Sequence, residues 1–327
     1  MDPFVARRGW GNPHLQTVRS RIRPARVRLP ASEMVLVDLP DDTGDRLAVH
    51  LHEGLPDRPL VLLIHGLGGT VDSDYIRFTA RGLLAEGFPV ARLDLRGAGV
   101  SGEYSSANYH AGRTEDVRAV IETLGRPTAV VGFSLGGNAT IKLLGERTAG
   151  VVAGVAVSAP LDLAVGSEHL HHMAGGLYEK YLLRRLRSES LRPAARYTPE
   201  ERAAILAART IVDFDNAITA PRNGWRDAAE YYYVNSSIRF LDQVQAPLLV
   251  IHAADDPMIP LGPYQSVDWD ALPTTELVLT EHGGHVGFHG RDAVPWYVGA
   301  VVRFLSGLGY RDPGADAKSS IEGPPGR

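Results

Sequence analysis

Three separated places in this sequence carry residue types that together could perform nucleophilic acyl chemistry. The first is Ser134, in Gly132-Phe133-Ser134-Leu135-Gly136 with Gly137 after it. This G-x-S-x-G run follows the apolar stretch TAVVGF and opens a helix-like stretch. In that context the serine occupies a strained strand-to-helix turn that projects its hydroxyl, and the glycines keep Cβ atoms off the neighbouring strand and helix. The turn also sets Ser134 at a helix N-terminus, where peptide N–H groups and the helix dipole favour developing negative charge.

The second place is His65-Gly66-Leu67-Gly68-Gly69, directly after the apolar run LVLLI. A glycine-rich turn leaving a central strand lets backbone approach a ligand closely. An N–H from such a loop joins the N–H after the nucleophile as an oxyanion hole, which assigns the donors to Leu67 and Leu135. One donor of this kind contributes about 3 kcal/mol to the transition state. The loop lacks the Lys-Ser/Thr ending and the G-x-G-x-x-G pattern of phosphate-binding turns. His65 is expected to support the loop rather than react.

The third place must supply a base and a carboxylate, in the order serine, acid, histidine. Asp255 and Asp256 follow the strand-like LLVIHA, and His285 follows ELVLT within EHGGHVGF. Gly283 and Gly284 beside His285 leave its imidazole room to approach a serine, so it is preferred over His282 and His289 as the base. Of the two aspartates, Asp256 stands nearer the loop and is preferred, with Asp255 read as a turn or capping residue. His169, His171 and His172 cluster in EHLHHM, but on a helix they point to different faces and no H-E-x-x-H pattern is present. They are read as surface or packing residues, and no metal or cofactor is expected.

Positioning these groups requires a particular set of elements. Short apolar runs (60–64, 89–93, 128–132, 151–157) alternate with helix-like stretches, which implies a mostly parallel sheet with helices on both faces. Runs at 34–39 and 47–51, with acidic residues between them, suggest an antiparallel hairpin opening the sheet. Strand order breaks at Leu161, resumes with runs at 247–253 and 276–280, and ends in a helix over about 292–305. The expected organisation is an N-terminal arm (1–32), a core (33–160 and 243–311), a helical cap insertion (161–242) and a disordered Gly, Pro and Ser-rich tail (312–327). Tyr178, Tyr181, Phe214, Trp225 and Tyr231 in the cap could line an acyl pocket, though most of them are expected to pack the cap onto the core.

A chain of 327 residues with 44% hydrophobic and 22% charged residues can bury a core without disulfides, of which its lack of cysteine allows none. Thiol catalysis is excluded for the same reason. A net charge of -4 argues against nucleic acid as a partner. The first thirty residues are nevertheless basic, with Arg7, Arg8, Arg19, Arg21, Arg23, Arg26 and Arg28. The reading preferred is a solvated arm pairing with acidic surface elsewhere, with peripheral contact to acidic lipid as the alternative. No run reads as a signal peptide or membrane span, so a cytoplasmic protein is the expectation. Oligomeric state is left open.

Taken together, these motifs resemble those of the YheT-like family of α/β hydrolases, close to the mammalian α/β-hydrolase-domain lipid esterases. Its marks are NPHLQT from Asn12, HGLGG, RLDLRGAGVSG from Arg92, YHAG from Tyr109, GFSLGGN, SAPLDL from Ser158, HAADDP from His252 and GGHVGF. The resemblance implies the α/β-hydrolase fold, a triad on Ser134, Asp256 and His285, and hydrolysis of short- to medium-chain acyl or lipid esters through an acyl-enzyme. NPHLQT would then tie the arm to the core beneath the cap, with His14 packed there. The alternative is an acyltransferase or perhydrolase using the same acyl-enzyme. A dehalogenase would need a carboxylate where Ser134 stands, and a non-catalytic binding module would be expected to have lost one of the three positions.

Overall fold

The structure, a computed structural model, describes residues 3–25 and 27–309. Arg26 and the expected tail 312–327 lie outside the described residues. A helix the sequence reading did not anticipate comes first: α1 (Pro13–Ile22), capped by Asn12, whose side chain accepts from the N–H groups of His14 and Leu15. Asn-Pro is a cap followed by proline at the first helical position, a local signal that names this start.

Eight strands follow in one sheet: β1 (Glu33–Asp38), β2 (Arg46–His52), β3 (Leu60–Ile64), β4 (Val90–Leu93), β5 (Thr128–Phe133), β6 (Val151–Val157), β7 (Leu248–Ala253) and β8 (Thr275–Thr280). Their spatial order is β1-β2-β4-β3-β5-β6-β7-β8. The β1/β2 hairpin pairs antiparallel and β2 joins β4 antiparallel; β4 through β8 are parallel. Between strands stand α2 (Asp74–Ala85), α3 (Thr114–Leu124) and α4 (Leu135–Gly145).

Every side chain of β3, β5 and β7 is buried, as in a parallel strand covered on both faces. On one face Val61, Leu63 and Val131 pack against Leu83 of α2 and Val298, Val301 and Leu305 of the last helix. Leu62, Ile64 and Val130 meet Val117, Val120 and Ile121 of α3 and Leu143 of α4 on the other. That last helix runs Trp296–Gly307 rather than 292–305, because Pro295 sits at its N-cap with extended backbone.

Between β6 and β7 the chain is helical: α5 (Leu163–His172), α6 (Leu177–Ser190), α7 (Pro199–Ala207), the short α8 (Ile211–Phe214) and α9 (Ala220–Arg222) joined by a π turn at Asp215–Thr219, and α10 (Ala228–Asn235). Leu182, Leu183, Leu186, Ile205 and Phe214 of these helices cluster with Leu144 of α4, Ala156 and Val250 of the sheet, and Tyr264 beyond β7. The short α11 (Gly262–Gln265) and then α12 (Trp296–Gly307) complete the fold.

Buried charge ties the sheet's first turns together. Arg96, leaving β4, makes two bonds to Asp116 of α3 (2.7 and 2.9 Å) and reaches Asp45 (3.1 Å) and Asp41 (2.7 Å) in the β1–β2 turn. The RLDLRGAG segment is therefore a structural clamp, not a participant in chemistry.

Candidate active site

Parallel register decides which loops meet. Ile64 pairs with Gly132, so β3 and β5 end side by side and residues 65–69 leave the sheet next to Ser134. Ser134 itself has φ 52° and ψ -121°, a backbone state costly for a residue with a Cβ. The glycines around it are required by contact. A Cβ on Gly136 would lie 2.6 Å from the carbonyl oxygens of Ile64 and His65, and one on Gly66 would lie 2.9 Å from Ser134 Cβ. Because those carbonyls belong to a fully buried strand end, Gly136→Ala is expected to cost about 1–3 kcal/mol, read as a lower urea midpoint. An unchanged midpoint would mean the strand end can yield.

The glycine-rich loop is held on both sides of Leu67. Tyr75 Oη accepts from the Gly66 N–H (3.1 Å), and Tyr109 Oη accepts from the Gly68 N–H (2.7 Å). His65, fully buried, bonds the Gly66 carbonyl through Nδ1 (2.8 Å) and accepts from the Leu95 N–H at Nε2 (3.1 Å). With its neighbours engaged, the Leu67 N–H has no protein partner among the described residues, and the Leu135 N–H heads α4 in the same state. Two donors of this kind beside a serine hydroxyl suit a developing oxyanion.

The histidine and acid arrive from the C-terminal ends of β8 and β7. Ser134 Oγ lies 2.9 Å from His285 Nε2, and His285 Nδ1 lies 2.9 Å from Asp256 Oδ2. Asp256 Oδ1 accepts from the N–H groups of Met258 (2.8 Å) and Ile259 (3.0 Å). Burial pushes the Asp256 carboxyl up, but the His285 charge and these bonds outweigh it and hold the group below its usual value. An ionised Asp256 takes the Nδ1–H, which leaves Nε2 as the acceptor for the serine proton.

The loop carrying His285 is strained and pinned. Val286 and Phe288 both have positive φ (54° and 47°). Thr17 Oγ1 of α1 accepts from the His285 N–H (2.9 Å), and Ser158 Oγ accepts from the Val286 N–H (3.2 Å). Gln16 bonds the backbone of His289 in both directions. These three partners were missed from sequence, because they lie far from His285 along the chain.

Comparison with known proteins agrees with the architecture. The family model described as alpha/beta hydrolase fold matches residues 59–292. The Escherichia coli (strain K12) protein named "Putative esterase YheT" is 35% identical over 302 residues, covering 88% of this chain and 87% of that one. The chain belongs to the α/β-hydrolase family, in its YheT-like branch. Carboxylic-ester hydrolysis is the activity typical of this family. The monoacylglycerol lipase of Saccharomyces cerevisiae is 29% identical, over 76% of this chain and 59% of that protein. Among solved structures, an esterase of Pyrococcus furiosus superposes with a TM-score of 0.59 at 20% identity, over 84% of this chain and 90% of that one.

The remaining candidates in the hydrolase fall elsewhere. His282 is exposed and bonds Asp255 Oδ2 (3.1 Å), while Asp255 Oδ1 accepts from the Gly284 N–H (2.9 Å), so Asp255 braces the histidine loop. His289 is buried against Arg19, and burial followed by that charge lowers it to about 4. His169 and His171 bond Pro257 and Glu179, and His172 is exposed. His14 is exposed rather than packed: it stacks on Tyr178 of α6 and bonds its hydroxyl (2.8 Å).

Two cavities meet at Ser134, Leu67, Leu182 and Met258. The inner one, about 280 Å³, runs among the helices between β6 and β7 past Leu135, Leu186, Phe214, Ile218 and Tyr231. The outer one, about 650 Å³, lies between α1 and α6 and is lined by His285, Tyr178 and Tyr181. Trp225 lines neither, facing a polar recess beside His110.

Helix α6 also grips the glycine loop. Arg185 Nη2 donates to the Gly68 carbonyl (3.0 Å), and Tyr109 Oη donates to Glu189 Oε2 (3.2 Å). Tyr109→Phe removes the acceptor of the Gly68 N–H, so it is expected to lower kcat roughly tenfold or more with KM little changed. Equal loss in KM instead would mean the tyrosine merely shapes the pocket. Burial raises Glu189 to about 7, and likewise raises Asp215, which binds Tyr232 and Thr219, to about 6. The folded state then keeps protons that the unfolded chain releases at lower pH. This contribution to stability is present below the ordinary carboxylate range and lost as pH rises through 6 to 7. A Glu189→Gln, Asp215→Asn variant should therefore lose less stability than wild type between about pH 5 and about pH 8, measured as urea midpoints. Parallel changes in the two proteins would contradict the assignment.

Proposed function

We propose that this hydrolase cleaves carboxylic esters through a triad of Ser134, His285 and Asp256, with residues 161–242 acting as a cap over an arm-braced core. The observation that carries the reading is the continuous contact from Ser134 Oγ through the His285 ring to Asp256, 2.9 Å at each step. Ser134 Oγ attacks the ester carbonyl as His285 Nε2 takes its proton, and the oxygen becomes an oxyanion held by the Leu67 and Leu135 N–H groups. Collapse breaks the carbonyl–alkoxy bond, and His285 returns the proton to the departing alcohol. Water then attacks the acyl-enzyme, giving its proton to Nε2; collapse breaks the carbonyl–Oγ bond, His285 returns that proton to Ser134 Oγ, and the acid leaves. Asp256 orients the imidazole and offsets its positive charge without taking its proton.

Substrate orientation follows from which side the base occupies. His285 lines only the outer cavity, so the alcohol it protonates departs there, and the acyl chain takes the inner cavity. The size of that cavity supports short- to medium-chain acyl groups, and the yeast relative named for monoacylglycerol supports a lipid ester. A p-nitrophenyl ester series from acetate to palmitate tests this: wild type should peak at short to medium chains, and Ser134→Ala should lose roughly 10⁶ in kcat on all. Ile218→Phe, narrowing the inner cavity, should shift the optimum to shorter chains with acetate hydrolysis retained. An unshifted optimum would put the acyl chain elsewhere.

A further inference from the structure

The basic arm offers a surface that the ester chemistry does not use. From Pro3 to Ser32 the sequence has no acidic residue, although the whole chain carries a net charge of -4. Pairing with acidic surface, the reading preferred from sequence, is not what the structure holds. Among the described residues no carboxylate forms an ion pair with Arg7, Arg8, Arg21, Arg23 or Arg28, nor with Lys180 or Arg184 of α6. The nearby carboxylate, Asp74, accepts from the Ala25 N–H instead.

Helix α1 has three distinct faces. Gln16 and Thr17 turn inward to the histidine loop. His14 and Arg21, seven residues apart, stack on Tyr178 and Tyr181 of α6. Leu15 and Ile22, also seven apart, are 40% and 61% exposed, and Val18 between them borders the outer cavity. Leu177, the first residue of α6, is 66% exposed on the rim of the same cavity. Large apolar side chains in water, ringed by unpaired cations, are the composition of a helix that lies in a lipid interface.

We propose that α1 and the start of α6 dock on an anionic lipid bilayer, seating the mouth of the outer cavity against the membrane surface. Leu15, Ile22 and Leu177 enter the acyl boundary while Arg21, Arg23, Lys180 and Arg184 meet anionic headgroups. An ester drawn from the bilayer then reaches Ser134 between α1 and α6 without passing through water. The docking stands on the surface alone; that the cargo is an ester rests on the function proposed above.

Co-sedimentation with vesicles tests it, using the full chain with Ser134→Ala so that the lipid stays intact. Binding to phosphatidylcholine mixed with phosphatidylglycerol should exceed binding to phosphatidylcholine alone by roughly tenfold or more, and fall with added salt. Ile22→Asp and Arg23→Glu should each weaken it several-fold, while their melting temperatures stay at the parent value. Equal or absent binding to the two vesicles would overturn the proposal. So would Ile22→Asp binding as its parent does, which would point to a purely electrostatic partner such as an acidic protein. Wild type that hydrolyses a soluble ester yet ignores vesicles would sink the docking alone, and vesicle binding without ester hydrolysis would sink the esterase alone.

Discussion

Ser134→Ala is expected to lower kcat on a soluble ester by roughly 10⁶, with the fold intact. In the proposed mechanism the serine oxygen forms the acyl-enzyme, and alanine leaves no group there to bond carbon. Residual rate over water should survive, because the Leu67 and Leu135 N–H groups still stabilise an oxyanion formed by a direct attack of water. A fluorophosphonate probe reports the same chemistry independently of turnover, labelling wild type and not the variant. Labelling of the variant at the wild-type rate would mean that another residue is the nucleophile. Ser134 holds a positive φ at which a Cβ is already accommodated, so alanine adds no new clash and a folding defect is not expected to confuse the result.

Asp256→Asn should be the next largest loss, roughly 10⁴ in kcat. The carboxylate accepts from His285 Nδ1 and, through its other oxygen, from the Met258 and Ile259 N–H groups. An amide oriented to keep those two peptide bonds turns its NH₂ toward the imidazole. That favours a proton on Nε2, the nitrogen that in the proposed mechanism receives the Ser134 proton. The neighbour provides the control: Asp255→Asn alters only the contact with His282 and can keep the Gly284 N–H on its carbonyl oxygen, so its kcat should fall far less. Similar losses in the two variants would place the acid incorrectly. Combining Asp256→Asn with Ser134→Ala should cost no more than Ser134→Ala alone, since groups acting as one unit are not additive.

Some of this site was legible in the chain. The strands and helices around Ser134 follow from apolar runs and helical spacing, and the sharp turn is written in adjacent residues. Other parts were not. NPHLQT implies a tie between the arm and the core, but the helix that Asn12-Pro13 starts, and its hold on the histidine loop through Gln16 and Thr17, emerge only in the structure. His14 was expected to pack and instead stacks at the surface. Among the expected cap aromatics, Phe214 and Tyr231 border the inner cavity, Tyr178 and Tyr181 the outer one, and Trp225 neither. Helical spacing says which side chains share a face, not which space that face meets.

The division has a physical cause. What the sequence determined by itself was local: a buried strand, a glycine-flanked serine and a following helix, whose geometry depends on contacts within a few residues. Tertiary structure decided the rest, because His285 and Asp256 reach Ser134 only when β5, β7 and β8 end on the same side of one sheet. Asp255 and Asp256 are adjacent in the chain, yet their side chains point apart in the turn, one to His282 and the other to His285. The two cavities, the tyrosines that hold the glycine loop and the unpaired basic face of α1 likewise arise where distant segments meet.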